Sequence, residues 1–162
     1  MYLLMAYVRL DKIGANAHIE SIVASTDLKN GQFVALGALQ ADGESRKVEA
    51  SGDQTKKLVF HASVPLTYDD LTNELDFVLK AGKVGRGYVL AEGDIVSITM
   101  DGVSGTTPAV GDLVNPDANG FAKVESPAQA GMLHGEIIAM ENDAIAGKMA
   151  VIRISTTVTH AG

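Results

Sequence analysis

The sequence predicts a mainly β fold, a small β-barrel or β-sandwich-like domain, and three observations carry that prediction. A short phrase recurs in which a glycine is followed by one polar and two apolar residues. It stands at Gly31-Gln32-Phe33-Val34, Gly93-Asp94-Ile95-Val96, Gly111-Asp112-Leu113-Val114 and Gly135-Glu136-Ile137-Ile138, with a looser copy at Gly147-Lys148-Met149-Ala150. Each glycine can take the positive φ of a tight turn, and each apolar pair can open a strand. Apolar segments begin about every 10 to 20 residues, a spacing that suits a small barrel or sandwich. Finally, 46% of the 162 residues are apolar, enough for one packed domain.

The elements follow in order. Residues 1–14 read as an extended N-terminal arm or a first strand, and residues 15–162 as a single β-rich domain. Met1 to Val8 is apolar but too short for a signal segment with a charged flank and cleavage site. Residues 15–28 are ambiguous, because Ile19, Ile22 and Val23 fit helical spacing while Ile22-Val23 is β-branched. Lys29-Asn30-Gly31 is a turn signal leading into a strand from Gln32 to Leu39. Residues 40–56 are polar, a loop with a short strand around Arg46–Glu49. Leu58 to Val64 is β-rich and ends at Pro65.

One short helix is expected over about 68–81. Thr67 can cap it, and Leu71, Leu75, Val78 and Leu79 form one apolar stripe. Asp69, Asp70 and Glu74 lie at its positive end, and Gly82 is a natural C-cap, so the acidic cluster reads as helix chemistry. From Gly85 onward the chain reads as strands and turns: Arg86–Leu90, Ile95–Met100, Val110–Val114, Phe121–Val124, Met132–Met140 and Met149–Val158.

Composition narrows the function. The chain has no cysteine, so disulfides and thiolate metal sites are excluded. Its net charge is -7 and its basic clusters, Arg46-Lys47 and Lys56-Lys57, are small, which disfavours nucleic acid as a partner. Trp is absent and only four Phe and four Tyr occur, few platforms for stacking sugars or bases. No apolar run reaches the roughly 20 residues of a membrane helix, so no membrane partner is expected.

The candidate sites are sparse. Gly82-Lys83-Val84-Gly85-Arg86-Gly87-Tyr88 lacks the Gly-Lys-Ser/Thr ending of a phosphate loop and the dinucleotide spacing. It reads as a helix end running into a strand. His18, His61, His134 and His160 form no local metal motif, and no nucleophile elbow is present. The chain is therefore expected to be no enzyme, with no cofactor, no metal and no catalytic residue. Arg9, Arg86 and Arg153 are scattered arginines that suit sheet edges or subunit contacts.

The succession Asn30 to Gly37, Tyr68-Asp69 with an acidic helix, Ala81 to Tyr88, Gly93 to Thr99 and Pro108 to Val114 resembles small structural proteins of tailed bacteriophages. Within that group it looks most like the capsid decoration, or cement, proteins that stabilise the head. The resemblance spans residues 28–155 and lies in style and order rather than in a signature motif, so it transfers no functional residue. It implies a non-enzymatic virion protein on the capsid surface, present in the host cytoplasm during assembly. It also implies the major capsid protein as partner and a homo-oligomer, with a trimer favoured. The capsid contact is expected at Tyr7, Val8, Arg9 and Leu10, where an arm could add a strand to a partner's sheet edge. The alternatives are a phage tail-tube or head-fibre component, or a cellular β-barrel binding module.

Overall fold

The computed structural model describes residues 7–14, 18–63, 77–124, 133–144 and 146–156. Its strands in chain order are β1 (Val8–Lys12), β2 (His18–Ala24), β3 (Leu28–Lys29), β4 (Phe33–Leu39), β5 (Ser45–Ala50), β6 (Leu58–His61) and β7 (Val78–Leu79). They continue with β8 (Val84–Val89), β9 (Ile95–Thr99), β10 (Val103–Ser104), β11 (Leu113–Pro116), β12 (Ala122–Val124), β13 (His134–Asp143) and β14 (Gly147–Ser155). A 3-10 turn, Met100–Gly102, follows β9.

Of the two architectures left open by the sequence, the closed barrel is present, and it stands beside an extended sheet. A closed barrel runs β2-β5-β4-β6-β8, and a seven-stranded sheet runs β1-β9-β14-β13-β11-β12-β10. The barrel strands are antiparallel except for β2 with β5, which pair in parallel.

Side-chain alternation builds two cores from one wall. Val34 on β4 and Val59 on β6 turn into the barrel, with Ile22, Ala24, Val48 and Leu79. Phe33 and Ala35, and Leu58 and Phe60, turn outward onto the sheet. There they meet Val96, Ile98, Ile137, Ile152 and Ile154. Strands buried on both faces read as continuous apolar runs. That is why two consecutive apolar residues open β4, one for each core.

The recurring phrase is a turn coupled to a bulge. In Lys29–Gln32, Ala91–Asp94 and Ala109–Asp112 the fourth N–H donates to the first carbonyl, at 3.4, 3.1 and 3.1 Å. The third residue is a glycine with φ of 92°, 88° or 95°, as a type II turn requires. That glycine's N–H and the fourth residue's carbonyl then bond one opposing residue, which is His61, Ile154 or Ile137 in turn. Two residues facing one, led by a left-handed glycine, is a G1 bulge. The polar fourth residue closes the turn with its side chain: Gln32, Asp94 and Asp112 accept the first N–H at 2.7, 2.8 and 2.9 Å. Gly135 departs from the expectation. It lies inside β13 without a positive φ, where a Cβ would stand 2.4 Å from Ile152 Cγ2.

The helix expected over 68–81 is corrected where it can be seen. Residues 68–76 lie outside the described residues, but Val78–Leu79 is a strand paired with Lys29 and Leu28 of β3. Leu79 is buried in the barrel core, so tertiary pairing overrides a helical period of few residues. Gly82, with φ of 79°, caps the turn between β7 and β8 instead of a helix. Gly85 then faces inward where the barrel is narrow: a Cβ there would stand 2.4 Å from Leu79 Cδ2 and 2.5 Å from Ser63 Oγ.

Barrel and sheet are also joined through backbone. The β11–β12 turn presents its carbonyls to the start of β4: Phe33 N–H donates to Gly120 at 2.7 Å, and Gln32 Nε2 to Asn119 at 2.9 Å. Asp117 shapes this turn, its Oδ1 accepting the N–H groups of Asn119 and Phe121 at 2.8 and 3.0 Å.

Candidate functional site

Two places bring together residues singled out by the sequence: the outer strand β1 and the barrel end around His61. In β1, Val8, Arg9 and Leu10 pair with Ile98, Ser97 and Val96 of β9. Tyr7 extends the pairing, its N–H donating to Thr99 Oγ1 at 2.9 Å while its carbonyl accepts the Thr99 N–H at 3.0 Å. Val8 and Leu10 pack on the core between barrel and sheet. Arg9 therefore occupies the opposite face, and among the described strands β1 is the last of its sheet on this side.

Arg9 ties β1 to β13 across the outer face. Its Nη2 lies 2.6 Å from Glu141 Oε2, its Nη1 3.6 Å from Asp143 Oδ2, and its Nε 3.5 Å from Asp11 Oδ1. Ser97 Oγ donates to Asp11 from β9 between them. The hydrogen bond to Glu141 raises the guanidinium pKa, with burial opposing it and Asp11, Glu141 and Asp143 adding their charge. The group is partly exposed, so solvent screens these pairs and the cluster orients more than it stabilises. The register shift between Leu10 and Lys12 and the charges beside it limit how far another strand could run along β1.

The second place is knit by backbone. His61 follows Val59 in facing the barrel interior and is fully buried. Its Nδ1 lies 2.8 Å from the Lys29 carbonyl, which can only accept, so Nδ1 carries the proton. Nε2 then accepts from Ser63 Oγ at 2.8 Å, and that oxygen accepts the Arg86 N–H at 3.0 Å. Asn30 clamps Ser63 from both sides, at 3.0 Å to its carbonyl and 2.9 Å from its N–H. The pair has the spacing of a nucleophile and its base, but a backbone carbonyl stands where a triad places a carboxylate. Ser63 borders a cleft of about 610 Å³ with Phe77, Lys80, Lys83 and Arg86, whereas His61 does not line it. Sequence reading noted His61 but missed this network. The available signal was a polar residue at the barrel-facing parity of an apolar strand, two positions after Val59.

Burial holds the His61 pKa below 6.5, opposed in part by the bond to the Lys29 carbonyl. A depressed histidine binds its proton more readily when unfolded. Its contribution is therefore complete above the unfolded value and is lost as pH falls through it toward the folded one. Thermal unfolding between neutral and mildly acidic pH should show a falling midpoint in the wild type and a shallower fall in His61→Gln. Equal slopes would assign the acid sensitivity elsewhere. Asp27, Asp42 and Asp53 have pKa values lowered from 3.8, mainly by hydrogen bonds from Ala81, Ser45 and Thr55 respectively. Their contribution is present above 3.8 and disappears only in stronger acid, a separate window.

The other histidines are dispersed. His18 is on β2, with Nε2 2.7 Å from Glu20 Oε1 at the surface. His134 is buried on β13 opposite Ser155, and His160 lies outside the described residues. Among the described residues no three His, Asp or Glu side chains gather to hold a metal ion.

No protein-family model and no curated protein sequence matches this chain. In shape it is similar to the crystal structure of the head fibre gp8.5 N base in bacteriophage phi29. The identity is 12% and the TM-score 0.48, over 89% of this chain and 98% of that one.

Proposed function

We propose that the protein is a structural component of a tailed-phage virion that binds the outside of the capsid and stabilises the shell by bridging major capsid subunits. It acts as a homo-oligomer, with a trimer favoured, and works without catalysis or cofactor. It assembles in the host cytoplasm and resides on the capsid surface. The observation that carries this reading is β1: one flank is paired to β9, and the other pairs with no described strand. A partner strand could add there through backbone hydrogen bonds, beside the Arg9 cluster. Val8 and Leu10 are engaged by the protein's own core, so of the four expected contact residues Tyr7 and Arg9 are left to meet a partner. The sequence resemblance to decoration proteins points the same way, and each contact can be modest because many copies act together.

The reading is tested on purified capsids heated with and without the protein. Stoichiometric retention and a higher capsid melting temperature are expected. Unchanged melting with no retention would refute it.

A further inference from the structure

The chain contains two Asn-Gly steps, Asn30-Gly31 and Asn119-Gly120. At such a step no side chain shields the glycine nitrogen, which can attack the preceding side-chain amide. Backbone geometry does not separate the two. Both glycines have positive φ, 92° and 83°, and both N–H groups donate at 2.9 Å, to His61 and to Asp117. The side chains do separate them. Asn30 is 7% exposed and both polar atoms of its amide are held by Ser63. Asn119 is exposed, and its side-chain amide bonds to none of the described residues.

We propose that Asn119 is a site of spontaneous deamidation, with the Gly120 nitrogen as nucleophile and water as the second reactant, and that the change loosens the joint between barrel and sheet. The Gly120 nitrogen bonds Asn119 Cγ, the Cγ–Nδ2 bond breaks, and ammonia leaves with the amide proton. Water then opens the cyclic imide at either carbonyl, giving aspartate or isoaspartate. Both products place a new negative charge beside Asp117. In isoaspartate the main chain runs through Cβ and Cγ, and the former Asn119 carbonyl becomes a pendant carboxylate.

That carbonyl is the acceptor of Gln32 Nε2, and the next one accepts the Phe33 N–H. Gly120 has no room to shift, because even a Cβ would stand 2.1 Å from the Phe33 carbonyl oxygen. Lengthening the chain at this point displaces the bonds that join the β11–β12 turn to β4. The same chemistry at Asn30 would first have to break both bonds to Ser63.

The test incubates the full chain at mildly alkaline pH, folded and in urea, and follows both Asn-Gly peptides by mass spectrometry. The folded protein should gain one dalton at Asn119 several-fold faster than at Asn30, and in urea both should gain at comparable rates. Equal rates in the folded protein, or no gain at Asn119 while the urea sample reacts, would overturn the site. Asn119→Gln, aged in parallel, should lose the gain and keep its thermal midpoint, whereas the aged wild type should melt lower. Equal midpoints would overturn the loosened joint.

Discussion

Phe60→Ala is expected to destabilise the protein by about 3–5 kcal/mol, the range for removing a buried aromatic side chain. Phe60 is fully buried, and its ring centroid is 5.2 Å from that of Phe33 at an interplanar angle of 59°. It stands where the barrel wall meets the sheet, beside a void of about 10 Å³ lined also by Val96, Ile98, Ile152 and Ile154. Both walls are hydrogen-bonded β-structure and cannot collapse independently, so the cavity would persist. Urea denaturation measures the loss, with Phe60→Leu expected to cost about 1 kcal/mol by keeping most of the volume. A loss below about 1 kcal/mol for Phe60→Ala would mean that the site relaxes and that the two layers are not rigidly apposed.

Gly120→Ala is expected to cost about 3 kcal/mol, combining about 1–2 for a left-handed alanine with a disrupted backbone hydrogen bond. The added Cβ would stand 2.1 Å from the Phe33 carbonyl oxygen, so the turn must withdraw from β4. Gly111→Ala is the matched comparison. Gly111 has φ of 95°, yet a Cβ there would have nothing within 4 Å. It should lose only the conformational part, about 1–2 kcal/mol. The difference between the two variants in denaturant titrations reads the strength of the joint. Equal losses would show that the contact with Phe33 contributes nothing.

The strand positions were legible because they depend on local pattern. Met132–Met140 and Met149–Val158 were expected as strands, and β13 and β14 occupy most of both stretches. The recurring glycine is legible as a turn, but the role of its polar follower is not, because it lies in side-chain bonds such as those by which Asp94 and Asp112 close their turns. Bulges escape sequence reading because the residue opposite, such as Ile154 facing Gly93-Asp94, is distant in the chain. The helix failed at Val78–Leu79 for the same reason: its strand partner, Leu28–Lys29, lies about 50 residues earlier. Of the candidate site, Tyr7–Leu10 was visible as an apolar opening stretch. The fastening of Arg9 to Glu141 and Asp143 was not, since it spans the full order of β1, β9, β14 and β13.

The order of the strands carries a consequence for how the chain matures. The barrel is contiguous in sequence, from β2 to β8, whereas the sheet is split, with β1 before it and the remaining strands after it. The barrel is thus an insertion within the sheet, and during synthesis it can close before β9 exists. β1 must then wait, unpaired, for a partner that lies almost 90 residues downstream, as the pairing of Arg9 with Ser97 shows. Meanwhile Phe33, Leu58 and Phe60 remain on the outside of a finished barrel. The capture of the first strand and the covering of those side chains therefore follow the closing of the barrel, and both are done by segments made after it.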